Sequence, residues 1–185
     1  LKIFEFLDSL SACDRWSQAH RVRRESVLEH TGFVVLYSVH LACKYDVKSD
    51  ILFTATLKSA VHDMEEALIG DIPTPTKYWS GEVTDAINEA GFSAAGLISD
   101  DLFTDDIFEL WASSKDLMTK SGQIVAIADI ASVVHKIQQE DSLGNKNFRK
   151  YIPNVLTALD SLMETESIIV KTECTNLKLS LRDYQ

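Results

Sequence analysis

Val61-His62-Asp63-Met64-Glu65-Glu66, at the end of an apolar run that begins near Ile51, is the stretch of this sequence best equipped for chemistry. On a helix His62 and Glu66 stand one turn apart on one face, with Asp63 beside His62. An adjacent imidazole and carboxylate offer one nitrogen and one oxygen to a borderline divalent metal, and a carboxylate one turn on could move protons at a metal-bound water. Short motifs of this kind are more often solvated charges at a helix end, so the case rests on what the rest of the chain supplies.

Two further residues answer. Ile124 to Val134 is apolar on nearly every side, with one carboxylate, Asp129, in its middle. A helix of that composition is buried, and an unpaired buried carboxylate is costly. Asp129 therefore needs a cation, a hydrogen-bonding partner or a raised pKa. His30 falls in the first turn of another predicted helix, where a lone histidine is more often packed than ligating. Yet His30, His62, Asp63 and Asp129 lie on three separate predicted helices, as the ligands of a metal site inside a bundle do. Two imidazoles and two carboxylates suit one divalent first-row transition metal ion (Co, Mn, Fe, Ni or Zn) better than the oxygen-only shells of Ca²⁺ and Mg²⁺.

The elements that must position these residues are helices. Ile3, Phe6, Leu7 and Leu10 recur at helical spacing, and Ser26 with Glu29 forms a capping box that opens a helix to about Tyr45. Ser49 can cap a helix from Asp50 to about Leu68, ended by Gly70. Asp71 to Tyr78 carries Pro73 and Pro75 and reads as a stiff loop beside the candidate site. Further helical patterns cover Ser80 to Ile98, Asp105 to Trp111, Ile124 to Gln139 and Tyr151 to Met163. Ile168-Ile169-Val170 has strand propensity, and the residues after it give no clear period. The expectation is an all-α, compact bundle of six or seven helices, one domain over 1–165, with 166–185 a C-terminal tail, packed or mobile.

The 185 residues, 45% hydrophobic, suffice for one well-buried domain. A net charge of −10 argues against a nucleic-acid polymer as partner. No apolar run approaches the roughly 20 residues of a membrane span. Leu1 to Glu5 lacks a signal-peptide pattern, and Cys13, Cys43 and Cys174 form no disulfide framework or thiolate zinc site. A cytoplasmic protein without membrane contact is expected. Against the acidic background, Arg15, Arg21, Arg23 and Arg24 fall within ten residues, enough to hold a small phosphorylated ligand or simply to form a solvated loop.

The order H…HD…D resembles the HD superfamily of metal-dependent phosphohydrolases. Within it, Arg15-Trp16, Val22-Arg23-x-Glu25-x-Val27-x-Glu29-His30, His62-Asp63-x-x-Glu66, Gly70-Asp71-Ile72-Pro73-Thr74-Pro75-x-Lys77-Tyr78 and Ala128-Asp129 are similar to the bacterial 5'-deoxynucleotidase family. The spacings, 15 residues from Arg15 to His30 and 58 from Asp71 to Asp129, are also like that family's. Small phage deoxyadenosine triphosphohydrolases share the metal set. The resemblance implies an HD-domain helical bundle, often a dimer or higher homo-oligomer, that hydrolyses 2'-deoxyribonucleotides. It implies His30, His62, Asp63 and Asp129 as metal ligands and Glu66 as catalytic acid, with Asp71 near the sugar or metal-bound water. Arg15 would meet phosphate, Trp16 would sense a missing 2'-hydroxyl, and Arg23, Thr74 and Lys77 would contribute to substrate binding. The leading activity is removal of the 5'-phosphate from deoxynucleoside monophosphates. Two readings stay beside it: a triphosphohydrolase using His20, Arg21 and Arg24 for the extra phosphates, and a nucleotide-sensing module, which would require a defective site. Ser17-Gln18-Ala19-His20 departs from the more apolar stretch expected after Arg-Trp.

Overall fold

The longest helix, over residues 120–142, packs against helices from both halves of the chain. In the computed structural model, which describes residues 2–184, the elements are α1 (Ile3–Ala12), α2 (Val27–Lys44), α3 (Ser49–Val61), α4 (Glu66–Ile69), α5 (Thr74–Lys77), α6 (Gly81–Leu102), α7 (Asp105–Ala112), α8 (Lys120–Ser142), α9 (Ile152–Leu162) and α10 (Ile168–Ser180). Turns of 3-10 helix cover Lys146–Tyr151 and Arg182–Tyr184. No strand occurs among the described residues, and the all-α expectation holds.

α8 is central because its sequence leaves it nowhere else to go. Ile124, Val125, Ile127, Ala128, Ala131, Val134 and Ile137 are buried and cover most of its circumference, and each large one stabilises the fold by about 1.5–3 kcal/mol when fully enclosed. α2 and α3 pack on α8 and on each other, so the three helices that carry or immediately precede the candidate ligands are the three in closest mutual contact. On one side α9, α10 and the 3-10 turn complete a core with Phe148, Leu159 and Val170. On the other, α1, α6 and α7 enclose Phe6, Met64 and Ile98.

Ten helical segments replace the six or seven expected. α3 ends at Val61 rather than near Leu68, and its cap is Lys48, with Ser49 already inside the helix. Asp71 to Tyr78 contains one helical turn, α5, because Pro75 falls in its first turn, where no backbone N–H is required. Ile168–Val170 is helical despite its strand propensity. Ser167 accepts the Val170 N–H, and Val170, Cys174, Leu177 and Leu181 bury one stripe against α8 and α9. Glu173 ties α10 to the end of α2, accepting from Lys44 Nζ (2.6 Å) and Tyr45 Oη (2.5 Å).

The basic loop before α2 is fixed by a buried clamp. Glu140, fully buried on α8, accepts the Val22 N–H (2.7 Å) and Asn145 Nδ2 (2.8 Å) through Oε2, and the Arg23 N–H (2.9 Å) and Lys136 Nζ (2.9 Å) through Oε1. Lys136, also buried, donates to the Arg23 carbonyl at 2.6 Å. Burial pushes the Glu140 carboxyl up, but the Val22 and Arg23 N–H groups, with Asn145 and Lys136, outweigh it and hold the pKa at about 2 instead of 4.5.

Glu140→Ala strands the Lys136 ammonium and two backbone donors, so denaturant unfolding at neutral pH is expected to show a loss of ~3–5 kcal/mol. The folded pKa lies below the unfolded one. The wild-type contribution is therefore complete above about pH 4.5 and disappears as the pH falls towards 2, and the gap between wild type and Glu140→Ala should narrow over that window.

Candidate metal centre and active site

The ligands meet where α2, the end of α3 and α8 converge. After Val61 the backbone tightens, with i to i+3 bonds from Met64 N to Val61 O, Glu66 N to Asp63 O and Ala67 N to Met64 O. The single helix expected over 50–68 is broken here because His62 Nδ1–H, donating at 2.8 Å, takes the Ser59 carbonyl. His62 Nε2 then lies 3.0 Å from Asp63 Oδ2, and His30 Nε2 lies 3.2 Å from Asp63 Oδ2 and 3.3 Å from Asp129 Oδ1.

Hydrogen bonding fixes which nitrogen of each ring carries the proton. The Ser59 carbonyl can only accept, so His62 carries its proton on Nδ1. The Ser132 hydroxyl spends its one proton on the Asp129 carbonyl (2.7 Å) and must accept from His30 Nδ1–H at 3.0 Å. Both Nε2 atoms therefore present lone pairs, and they face each other at 3.0 Å in a buried site. Two lone pairs at that distance repel unless a cation lies between them. The separations of 3.0–3.3 Å also match a coordination shell, since ligand atoms at about 2.1 Å from a metal and at right angles stand about 3 Å apart. The donor set thus fits a first-row divalent ion. Burial and Arg15 push the His30 pKa down, but Asp129 and Asp63 more than compensate, and it is raised.

The comparisons with known proteins agree with this geometry. Residues 2–175 match the family described as 5'-deoxynucleotidase YfbR-like. A 5'-deoxynucleotidase of Klebsiella pneumoniae is 31% identical over 152 residues, 78% of this chain and 75% of that protein. This chain belongs to the YfbR-like 5'-deoxynucleotidase family. One from Pasteurella multocida is 27% identical over 88% of this chain and 84% of its own length. Among solved structures, the PH0347 protein of Pyrococcus horikoshii superposes with a TM-score of 0.75 at 20% identity, over 97% of this chain and 99% of that one. The HD phosphohydrolase DatZ of cyanophage S-2L, solved with dA and one catalytic Zn²⁺, gives 0.68 at 18% identity, over 99% and 98%. These two share the fold.

Around the centre, this YfbR-like chain gathers most of the residues its sequence singles out. A cleft of about 500 Å³ opens beside His62 and Asp63 and is lined by Glu65, Glu66, Lys77 and Lys115. Glu66 Oε2 is buried and has no hydrogen-bond partner among the described residues. Burial, then Asp63 and Asp71, push the Glu66 pKa up to about 9 against the opposing pull of Arg15, so the carboxyl is held protonated. Burial likewise raises Asp71, opposed by Arg15 and by the Trp16 N–H, which donates to Asp71 Oδ2 at 3.2 Å. Arg15 is enclosed by carboxylates. Burial alone would lower its pKa, but Asp129, Glu25, Asp63 and Asp71 raise it.

Trp16 has a φ of 62°, a left-handed conformation costly for a bulky residue. The strain is held by bonds on every side. Its carbonyl accepts from Ala19 N and Arg21 Nη1, its indole N–H donates to Glu25 Oε2 at 3.1 Å, and its ring packs on Phe148 and Tyr151. Glu25 Oε1 also accepts from Arg15 Nη1 at 3.2 Å, so one carboxylate orients both members of the Arg-Trp pair.

Other residues singled out in the sequence lie farther from the cleft. Arg23 pairs with Glu29 beside a separate hollow that includes His135, because Glu140 and Lys136 hold its backbone inward and leave its side chain on the surface. Arg21 and Arg24 both pair with Asp14. Thr74 is exposed on α5 and does not line the cleft, whereas Lys77 does. The sequence reading missed Lys115, Ser132 and Glu65. Glu65 accepts from Trp111 Nε1 at 2.6 Å, and burial and then Asp63 push its pKa up to about 7. Only a serine one turn after Asp129 could have suggested Ser132, and nothing in the pattern marks Lys115.

Ser132→Ala removes the acceptor that keeps the His30 proton on Nδ1. Metal affinity measured by competition with a chromophoric chelator should fall roughly 10–100-fold while unfolding is little changed.

Proposed function

We propose that this enzyme, a metal-dependent nucleotide phosphohydrolase, removes the 5'-phosphate of 2'-deoxynucleoside monophosphates, using one first-row divalent ion held by His30, His62, Asp63 and Asp129. The observation that carries the reading is the pair of opposed Nε2 lone pairs at 3.0 Å with the partnerless carboxyl of Glu66 beside them. A bound ion supplies a Lewis acid for a phosphoryl oxygen and a water of lowered pKa.

The chain's own residues do the rest. Arg15, held by Glu25, neutralises phosphoryl charge in a buried site, where one well-placed cation counts for more than in water. Glu66, protonated before reaction, gives its proton to the departing 5'-oxygen. Trp16, fixed by Glu25 and Asp71, fills the space a 2'-hydroxyl would need, and this selects deoxyribose without reading the base. Lys77 offers a second positive charge at the cleft wall. Monophosphates lead over triphosphates because the relatives are 5'-deoxynucleotidases, and Arg21 and Arg24, the side chains available for extra phosphates, pair with Asp14. A cytoplasmic location and a homo-oligomer belong to the same proposal, and Leu36 and Phe53, exposed on α2 and α3, suit a contact between copies.

Metal-loaded protein incubated with deoxynucleoside mono-, di- and triphosphates should release inorganic phosphate from monophosphates; triphosphate as the main product would give the activity to the alternative. Glu66→Gln should keep its metal and lose on the order of 10²–10⁴ in kcat. Trp16→Ala should narrow the deoxy/ribo ratio of kcat/KM, and an unchanged ratio would remove Trp16 from sugar selection.

A further inference from the structure

Asp63 and Asp129 each divide their two oxygens between the imidazoles and Lys115. Asp63 Oδ2 and Asp129 Oδ1 face the imidazole nitrogens. The opposite oxygens face Lys115, whose Nζ lies 2.6 Å from Asp129 Oδ2 and 3.6 Å from Asp63 Oδ1. Lys115 thus uses lone pairs that inward coordination leaves free, and it can stay in place when an ion binds.

The turn that carries Lys115 is firmly built. Buried Lys58 donates to the Ser113 carbonyl at 2.7 Å, and Asp116 Oδ1 accepts the Met118 N–H at 2.9 Å. A Cβ on Gly122 would stand 2.1 Å from the Asp116 carbonyl oxygen, so only glycine lets α8 lie this close to the turn. An ordinary surface lysine has no such scaffold.

We propose that Lys115 is a positioning residue that restrains Asp63 and Asp129 to one metal-facing oxygen each and thereby keeps coordination positions open for water and phosphate. A carboxylate that swung both oxygens onto the ion would lose its bond to Lys115. Four single-atom ligands in a six-coordinate shell leave about two positions for solvent and substrate, and each carboxylate that chelates removes one. The inference rests on the reading that a divalent ion occupies the cluster.

The test uses Mn²⁺ as probe in the full chain, with exchangeable waters on the ion counted by water-proton relaxation and bound Mn²⁺ measured in parallel. Wild type should bind about one Mn²⁺ per chain with about two exchangeable waters. Lys115→Met should bind Mn²⁺ with fewer waters and show a kcat lower by roughly 10–100-fold. Lys115→Arg, whose fork can span both outward oxygens, should restore the wild-type water count. Lys115→Gln serves if the Met variant does not fold. A Met or Gln variant that binds Mn²⁺ with the wild-type water count overturns the proposal, as does a folded variant that no longer binds Mn²⁺, which would make Lys115 a determinant of affinity instead. Wild type that binds no Mn²⁺ overturns the metal reading itself.

Discussion

Two imidazole nitrogens, each with its lone pair directed at the other across 3.0 Å of protein interior, impose the constraint on which this structure depends. Water cannot relieve the repulsion, because His30 and His62 are buried. Neither ring can escape by moving its proton, since Ser59 and Ser132 hold both protons on Nδ1. Only a positive charge between the rings resolves the conflict, and Asp63 and Asp129 add the anionic oxygens that favour a divalent ion over a proton.

The bundle around this point behaves as a device for holding it. The histidines and carboxylates sit on, or just past the end of, the three helices that pack most closely together, and α8 holds Asp129 half-buried beside Lys115, which compensates its charge. The substrate side carries stored strain. Trp16 adopts a left-handed backbone that Asp71, Glu25 and Arg21 enforce, and the loop containing it is pinned to α8 through Glu140. Such strain costs on the order of 1–3 kcal/mol, and it persists here because hydrogen bonds surround it. The acid, Glu66, shows the opposite economy, a buried oxygen left without a partner so that a substrate oxygen can become one.

What the sequence revealed followed from how local each signal was. The capping box at Ser26 and Glu29, the apolar circumference of α8 and the anomaly of Asp129 within it were all legible, because each depends on neighbours a turn away. The end of α3 was not. It is set by the His62 side chain taking the Ser59 carbonyl, a competition that periodicity does not register. The helix at Ile168–Ser180 was hidden by three β-branched residues; only Val170 among them is buried, and the stripe it forms with Cys174, Leu177 and Leu181 outweighs their strand propensity. Charge runs were the least informative. The four arginines before α2 read as one basic patch, yet Asp14 claims two, Glu140 and Lys136 leave a third on the surface, and only Arg15 reaches the carboxylates of the centre. Lys115 arrives from a turn with no motif, and only three-dimensional placement gives it meaning.

Histidine ¹⁵N resonances followed while metal-free protein is titrated with Zn²⁺ test the opposed lone pairs most directly. His30 and His62 should both show a protonated Nδ1 throughout, and their Nε2 resonances should move together and stop changing at about one equivalent. A response at Nδ1, or at only one of the two rings, would contradict a shared ion between them.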